Sequence, residues 1–160
     1  MDVVNIVKLP EMRMASFHAI GEQPEIIAFA KLQEWAVPKG IFDEPGKYRV
    51  FGFNNPPPEP GRKEYGYEFL VELDKDIDTE GLEILELPSK TYAMMHSEGF
   101  ENIGPDWQKL MDWVISSKDY ESDEGQCLEG HIPGCKYTED DFRLDIYEPV
   151  RKIIRANNHF

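Results

Sequence analysis

One stretch of the sequence occurs twice at a constant spacing of 78 residues. The matched positions are Leu9 and Leu87, Pro10 and Pro88, Ala15 and Ala93, His18 and His96, Gly21 and Gly99, Lys31 and Lys109, Leu32 and Leu110, and Trp35 and Trp113. No gap is needed to align them, and the rare residues Trp and His are among the matches. Self-similarity at a fixed period predicts that one structural unit is built twice. We therefore expect an internal duplication, with pseudo-repeats over about 3–73 and 81–150.

Length and composition agree with a single domain over residues 1–160. A chain of 160 residues, 41% of them hydrophobic, carries enough apolar material for one packed core. The two pseudo-repeats are too short to bury a sheet face independently, so we expect them to cover each other.

The pattern of the first repeat predicts strand, strand, helix, strand, strand. Strands are predicted over 3–9, 13–20, 48–54 and 65–73, with a turn at Pro10 and Glu11. The helix should begin at Pro24 or Glu25, where proline is tolerated, and end before Pro38. Its apolar face is predicted to contain Ile26, Ile27, Phe29, Ala30, Leu32 and Trp35.

The second repeat has the same order. Strands are predicted over 82–87, 91–97, 127–132 and 142–150, a helix from Pro105 or Asp106 through Val114, an acidic loop over 117–126 and a polar tail over 151–160. The expected fold class is α+β, with internally duplicated halves, an antiparallel sheet, two main helices and a ligand cleft between the halves.

Charge limits the possible partners. The formal net charge is −14, which disfavours direct nucleic-acid binding and anionic membranes, because both depend on Lys and Arg. The negative charge favours cationic partners or simple solubility.

There is no apolar run of about 20 residues and no signal peptide, and the two cysteines form no disulfide framework, so a cytoplasmic protein is expected.

Several short motifs in a fixed order carry a family resemblance. They are Leu9-Pro10 with Ala15 and Gly21, residues 49–53 (RVFGF), residues 65–68 (YGYE), Leu87-Pro88 through Tyr92-Ala93 to Gly99, Trp107 through Leu110 to Trp113, Leu128-Glu129, and residues 144–150 (LDIYEPV). Together they resemble the GyrI-like small-molecule-binding domain, the effector-binding domain of AraC-type and multidrug-sensing transcription regulators. The resemblance spans about Val3 to Val150, without helix-turn-helix residues, so it predicts a stand-alone form. Glu148 departs from the family pattern, which has an apolar residue before the proline.

The resemblance implies a pocket between the halves, lined by aromatic residues and floored by an acidic residue that meets hydrophobic cations. The family's acidic residue in the penultimate strand matches Glu129. Independently of the family, Glu129 occupies the duplicate position of Phe51 on a short apolar strand, so its carboxylate should be partly desolvated and need a counter-charge. The alternative is a glutamate on an edge strand that faces water.

Aromatic side chains could form the wall of this pocket, because rings attract cations over their faces. The candidates with Glu129 for ligand binding are Phe51, Tyr67, Tyr92, Trp107 and Tyr147. Each could instead be an ordinary core residue. His18 and His96 are matched by the repeat, but no Cys or Asp cluster lies at ligand spacing nearby. We therefore expect neither a metal site nor another cofactor.

Three functions remain open. The first is a binding protein for hydrophobic, cationic small molecules. The second, implied by the resemblance, is a hydrolase of strained-ring electrophiles with Glu129 as general base. The third is a protein-interaction module like the family's DNA gyrase inhibitors. The ligand, the regulated pathway, a separate DNA-binding partner and the oligomeric state do not follow from the sequence.

Overall fold

A computed structural model describes residues 3–154, which form one large, curled, mostly antiparallel sheet with two helices. In chain order the elements are β1 (Val4–Leu9), β2 (Met12–Gly21), α1 (Pro24–Ala36), β3 (Val50–Asn54), β4 (Tyr65–Glu72), β5 (Glu83–Leu87), β6 (Lys90–Glu98), α2 (Ile103–Ser116), β7 (Tyr120–Ser122), β8 (Leu128–His131) and β9 (Arg143–Lys152). A short 3-10 turn, Phe100–Asn102, precedes α2. The predicted α+β class with an antiparallel sheet and two main helices is confirmed.

The two halves join edge to edge in one sheet, whereas the sequence predicts two units that cover each other. The strand order is β1-β6-β9-β8-β3-β4-β2-β5, with β7 paired to β9. The central contact is the pairing of β3 with β8, where Phe51 lies opposite Gly130 and Gly52 opposite Glu129. Backbone hydrogen bonds across this pair make one continuous sheet of the two halves, because each of these short strands offers the other a free edge.

The first strand of each half crosses into the other half. β1 pairs with β6, so that Ile6 lies opposite Ala93, and β5 pairs with β2, so that Ala15 lies opposite Ile84. The turn at Pro10 and Glu11 therefore does not make a hairpin of β1 and β2. These two pairs are equivalent under the repeat, because Ile84 is the counterpart of Ile6 and Ala93 is the counterpart of Ala15 at the spacing of 78 residues. This shared register supports the proposed duplication.

The buried stripe of α1 differs from the predicted one. The residues of the helix that are buried are Pro24, Ala28, Leu32 and Ala36. Ile26 is 64% exposed and Ile27 is 48% exposed. The small residues Ala28 and Ala36, two helical turns apart, let the helix backbone approach β2 and β4 closely, and the larger isoleucines are left on its outer side.

Both faces of the curled sheet are buried. On one face, α1 packs mainly on β2 and β4, and α2 packs mainly on β6, with further contacts to β7 and β9. On the other face, the ends of the sheet curl over its centre, so that residues of β1, β2 and β5 cover Leu70, Phe51 and Leu128.

The predicted acidic loop over 117–126 contains the unpredicted β7, which extends the sheet beside β9. Of the predicted tail, 151–152 belong to β9, and 155–160 lie outside the described residues.

No helix in the part of the chain described is long and apolar enough to cross a membrane.

Candidate ligand-binding site

Glu129 lies at the centre of the sheet, on the face that carries the helices. Successive residues of a strand point to opposite faces, and Glu129 lies directly opposite Gly52 on β3 and Ile146 on β9. Ile146 packs in the cluster beneath α2. Since α1 and α2 pack on strands to either side of β3 and β8, the carboxylate faces the space between the two helices, which we call the groove.

Two neutral donors hold this carboxylate. The Tyr67 hydroxyl donates to Oε1 at 2.9 Å, and the Trp107 indole N–H lies 3.5 Å from Oε2. Burial raises the pKa of Glu129, against the opposing effect of these two hydrogen bonds. Among residues 3–154, no Lys or Arg forms an ion pair with it. Three of the predicted site residues, Glu129, Tyr67 and Trp107, are therefore brought together by the fold.

Gly52 allows Tyr67 to reach this position. A Cβ atom at Gly52 would collide with the Tyr67 hydroxyl and would lie 2.6 Å from the ring atoms Cε1 and Cζ. The ring crosses the space above Gly52 toward Glu129 on the next strand, and Tyr67 is almost fully buried there. Burial, together with the Glu129 charge, raises the pKa of the Tyr67 phenol well above its ordinary value, so it stays a hydrogen-bond donor.

A chain of hydrogen bonds continues from Tyr67 away from Glu129. Nε2 of His131 lies 3.3 Å from the Tyr67 oxygen, and Nδ1 lies 3.1 Å from the Tyr137 hydroxyl, which accepts from the backbone N–H of Ile132 at 3.0 Å. Because Tyr67 donates its proton to Glu129, its oxygen accepts from Nε2–H of a neutral His131, and Nδ1 accepts from Tyr137. Every donor in the chain points toward the carboxylate, which fixes the orientation of Tyr67.

We expect this buried histidine to make the protein acid-sensitive. Burial lowers the pKa of His131 to about 4, so between about pH 6.5 and 4 the unfolded chain takes up a proton that the folded chain does not. The free energy of unfolding should therefore fall as the pH is lowered through this window. Urea unfolding of the wild type and of His131→Gln at several pH values measures the effect. Carboxylate titrations common to both proteins cancel in the comparison, and parallel pH profiles would contradict the prediction.

A second carboxylate lies near the same face. Glu25, in the first turn of α1, accepts from the Tyr65 hydroxyl at 2.6 and 2.8 Å through its two oxygens. Tyr65 and Tyr67 are two positions apart on β4, so they point to the same face. The charge of Glu25 adds to the rise in the pKa of Glu129. Both carboxylates thus make this face of the sheet electronegative.

The other three predicted residues lie together on the opposite face. Phe51 and Tyr92 each contact Tyr147 edge-on, with ring centroids 5.7 and 5.8 Å apart. Phe51 is the neighbour of Gly52 along β3, so its side chain points away from Glu129. The single aromatic wall expected from the sequence is therefore divided by the sheet into two groups.

A cavity of about 500 Å³ lies at the end of β3 and β8, beyond their short pairing. Its walls come from the segment after α1 and from the segment after β8, and include Phe51 and Tyr147. Glu129, Tyr67, Tyr92 and Trp107 do not line it. Phe69 and His131 contact Tyr67 and also line the cavity, so the cavity and the groove adjoin without sharing the carboxylate.

The repeated histidines have local partners. His18 Nε2 lies 2.6 Å from the backbone oxygen of Asn55, and His96 lies between Asp145 and Glu98 at 2.8 and 3.0 Å. Within the described ranges, no group of three or more His, Cys, Asp or Glu side chains could hold a metal ion. Glu148 is buried and accepts from the Cys127 thiol at 2.8 Å, which satisfies the charged side chain where the family has an apolar one.

Sequence reasoning missed Glu25 and His131 as neighbours of the site. Glu25 was visible only as a helix start, and nothing in its local pattern shows that α1 brings it to Tyr65. His131 did carry a signal, since it lies two positions after Glu129 on a predicted strand and so shares its face.

A model of one protein family matches the chain over residues 5–150, and the family is described as Cass2, integron-associated effector binding protein. The resemblance seen in the sequence is thereby confirmed. No curated protein matches the chain.

Solved structures share the fold at low sequence identity. The C-terminal domain of EcmrR is 18% identical, with a TM-score of 0.66, over 96% of this chain and 99% of that domain. EcmrR in its complex with DNA is 17% identical, with a TM-score of 0.66. The match covers 95% of this chain but only 58% of the EcmrR chain. SAV2435 bound to tetraphenylphosphonium is 14% identical, with a TM-score of 0.60, over 93% of this chain and 94% of that chain. A hydrolase from Listeria innocua is 12% identical, with a TM-score of 0.62, over 92% of this chain and 91% of that chain.

Proposed function

The chain belongs to the family of integron-associated effector binding proteins, and we propose that it binds hydrophobic organic cations in the groove above Glu129. The observation that carries this proposal is the state of the Glu129 carboxylate. It is largely removed from water and held only by the neutral donors Tyr67 and Trp107. A desolvated charge without a counter-ion is costly. A bound cation would supply the missing charge.

The surroundings of Glu129 favour a hydrophobic cation over a metal ion or an ammonium ion. Phe29 on α1 lies 5.6 Å from Phe69, and Phe69 lies 4.9 Å from Tyr67 and 5.0 Å from His131 between ring centroids. Trp107 contributes its indole from α2 on the other side. Aromatic faces attract an organic cation and bury its apolar surface at the same time. The nearby Glu25 strengthens the negative potential of the groove.

Two further findings support the proposal. SAV2435, which shares the fold, has been solved with tetraphenylphosphonium, a hydrophobic cation. EcmrR, which also shares the fold, has been solved in a complex with DNA. For this chain, the net charge of −14 supports a role as the effector-sensing part without direct contact to nucleic acid. Both cysteines are unbridged, which agrees with a cytoplasmic location.

The proposal is tested by titrating tetraphenylphosphonium into the wild type and Glu129→Gln in a calorimeter. Glutamine keeps the size and one acceptor oxygen but loses the charge, so we expect its affinity to fall by about tenfold or more, equivalent to about 1.4 kcal/mol. The matched control is Glu86→Gln, which removes the same charge from an exposed position on the edge strand β5. Equal affinities of the three proteins would contradict the proposal, as would an absence of binding to the wild type.

The affinity for the cation should also depend on pH. Because burial raises the pKa of Glu129 above its ordinary value near 4.5, acidification should neutralise the carboxylate at a higher pH than it would an exposed glutamate. The affinity should therefore decrease as the pH is lowered through this raised pKa, and it should be nearly constant in Glu129→Gln. The same titrations repeated from neutral to acidic pH measure the effect, and a wild-type affinity that does not change with pH would count against a charge-based mechanism.

A further inference from the structure

Glu129, Tyr67 and Trp107 of the proposed cation site do not line the cavity at the end of β3 and β8. The cavity does share Phe29, Phe69 and His131 with the surroundings of that site. Its volume of about 500 Å³ lies within the range of about 300–1,000 Å³ typical of small-molecule sites. It lies between two irregular segments, 41–49 and 132–137, that follow α1 and β8. These segments come from different halves of the chain, and the cavity lies beyond the two positions at which β3 and β8 are paired.

The cavity walls are mainly apolar and aromatic. Phe51 and Tyr147 contribute the face of the sheet opposite Glu129, and Phe42, Ile132 and Tyr137 contribute the two segments. Among the non-glycine residues of 3–154, only Tyr137 has a positive backbone φ angle, which is 54°. This conformation is unfavourable for a bulky side chain and is retained where the surroundings hold it, often at ligand sites. Here it directs the Tyr137 ring against His131, at 5.3 Å between centroids.

The charged residues of the wall already have partners. Arg49 lies 3.4 Å from the Glu72 carboxylate, Asp145 lies 2.8 Å from His96, and Glu44 lies 3.8 Å from the Lys47 ammonium group. The polar groups of His131 and Tyr137 are hydrogen-bonded to each other. A charged ligand would find no unpaired charge on these five side chains, so the chemistry of the wall favours an uncharged ligand.

Tyr67 separates this cavity from Glu129. Its hydroxyl contacts the carboxylate on one side and His131 on the other, and His131, but not Tyr67, lines the cavity. Phe51 and Tyr147 are also separated from Glu129 by the thickness of the sheet. The two sites adjoin through Phe69 and His131 but differ in most of their lining, so a molecule in the cavity need not occupy the position of a cation at Glu129.

We propose that this cavity is a second binding site, selective for uncharged aromatic molecules, and that it can be occupied at the same time as the cation site at Glu129. Its affinity comes from burial of aromatic surface against Phe51, Tyr137 and Tyr147, with rings contacting edge-on or offset. The proposal does not require that the cation site be correctly assigned.

The experiment uses N-phenyl-1-naphthylamine, an uncharged aromatic probe whose emission increases on burial. We expect saturable binding of one equivalent to the wild type. Excess tetraphenylphosphonium should not displace the probe, and Glu129→Gln should bind it within about twofold of the wild type, a difference of less than 1 kcal/mol. Ile132→Trp should fill the cavity and weaken probe binding about tenfold or more, equivalent to about 1.4 kcal/mol.

The matched control is Ile115→Trp, which places the same side chain at an exposed position of α2 and should leave probe binding unchanged. The competition between the two ligands needs no variant, so it remains decisive if Ile132→Trp proves poorly folded. Displacement of the probe by tetraphenylphosphonium, or loss of probe binding in Glu129→Gln, would show one shared site and overturn the proposal. Absence of saturable probe binding would overturn it as well. None of these results depends on whether Glu129→Gln weakens cation binding, so the two proposals can fail separately.

Discussion

Replacing Gly52 by alanine should both destabilise the protein and weaken cation binding. The added methyl group would occupy the space of the Tyr67 hydroxyl and ring, at 2.6 Å from Cε1 and Cζ. Tyr67 is buried, contacts Phe69 edge-on and donates to Glu129, so it has little room to move. Overpacking of this kind costs about 1–3 kcal/mol.

The same displacement would remove a donor from Glu129 and leave its charge less satisfied, so the loss of packing and the damage to the site should appear together. Urea unfolding gives the stability, and calorimetric titration with tetraphenylphosphonium gives the affinity. The matched control is Gly104→Ala on α2, where a Cβ atom would meet nothing within 4 Å. A helical Gly-to-Ala change stabilises by about 0.5–1 kcal/mol, so the two substitutions should have opposite signs. A stable Gly52→Ala protein with wild-type affinity would contradict the assigned position of Tyr67.

Replacing Leu70 by alanine should cause the largest loss of stability, about 2–5 kcal/mol. Leu70 lies at the centre of β4, is fully buried and packs with Met12, Met14 and Phe51 on the face without helices. This face is buried only because the sheet curls. The substitution therefore tests whether the curled interior is a packed core, since a flat sheet would leave Leu70 in water.

The control for Leu70→Ala is Leu85→Ala on the edge strand β5, where the side chain is 38% exposed. It removes the same atoms and should cost much less, because little surface is buried and no closed cavity remains. Urea or thermal unfolding of both variants measures the difference. Similar losses in the two proteins would mean that the interior face is poorly packed.

Local patterns predicted most elements to within a few residues, because alternation, helical spacing and proline positions act over short stretches of chain. The start of α1 at Pro24 and its end before Pro38 follow from proline's missing N–H and fixed φ. The prediction that Ile26 and Ile27 belong to the buried side of α1 was wrong. The prediction assigned the most hydrophobic residues of the helix to its buried side. In the structure, α1 lies so close to β2 and β4 that small alanines occupy the contact.

Only part of the arrangement of the candidate site residues could be predicted from the sequence. The resemblance indicated Glu129, and alternation along β4 placed Tyr67 on the same face as the other core residues of that strand. The sequence analysis grouped Phe51, Tyr92 and Tyr147 with Glu129. The face of the sheet on which each side chain lies depends on the strand pairing, which the sequence does not give. Glu25 and His131 were missed as partners because their contacts span distant parts of the chain.

The amino-acid sequence by itself determined that two similar units are present, that each has a helix among strands, and that one acidic residue lies on a short apolar strand of the second unit. These features depend on local sterics, on hydrophobic periodicity and on a repeat that can be counted. Only the tertiary structure decided that the halves join through β3 and β8, that β1 and β5 cross over, and that Tyr67, Trp107 and His131 gather around Glu129. Strand pairing and sheet curvature minimise free energy over the whole chain, and contacts between residues far apart in sequence cannot be read from any one segment.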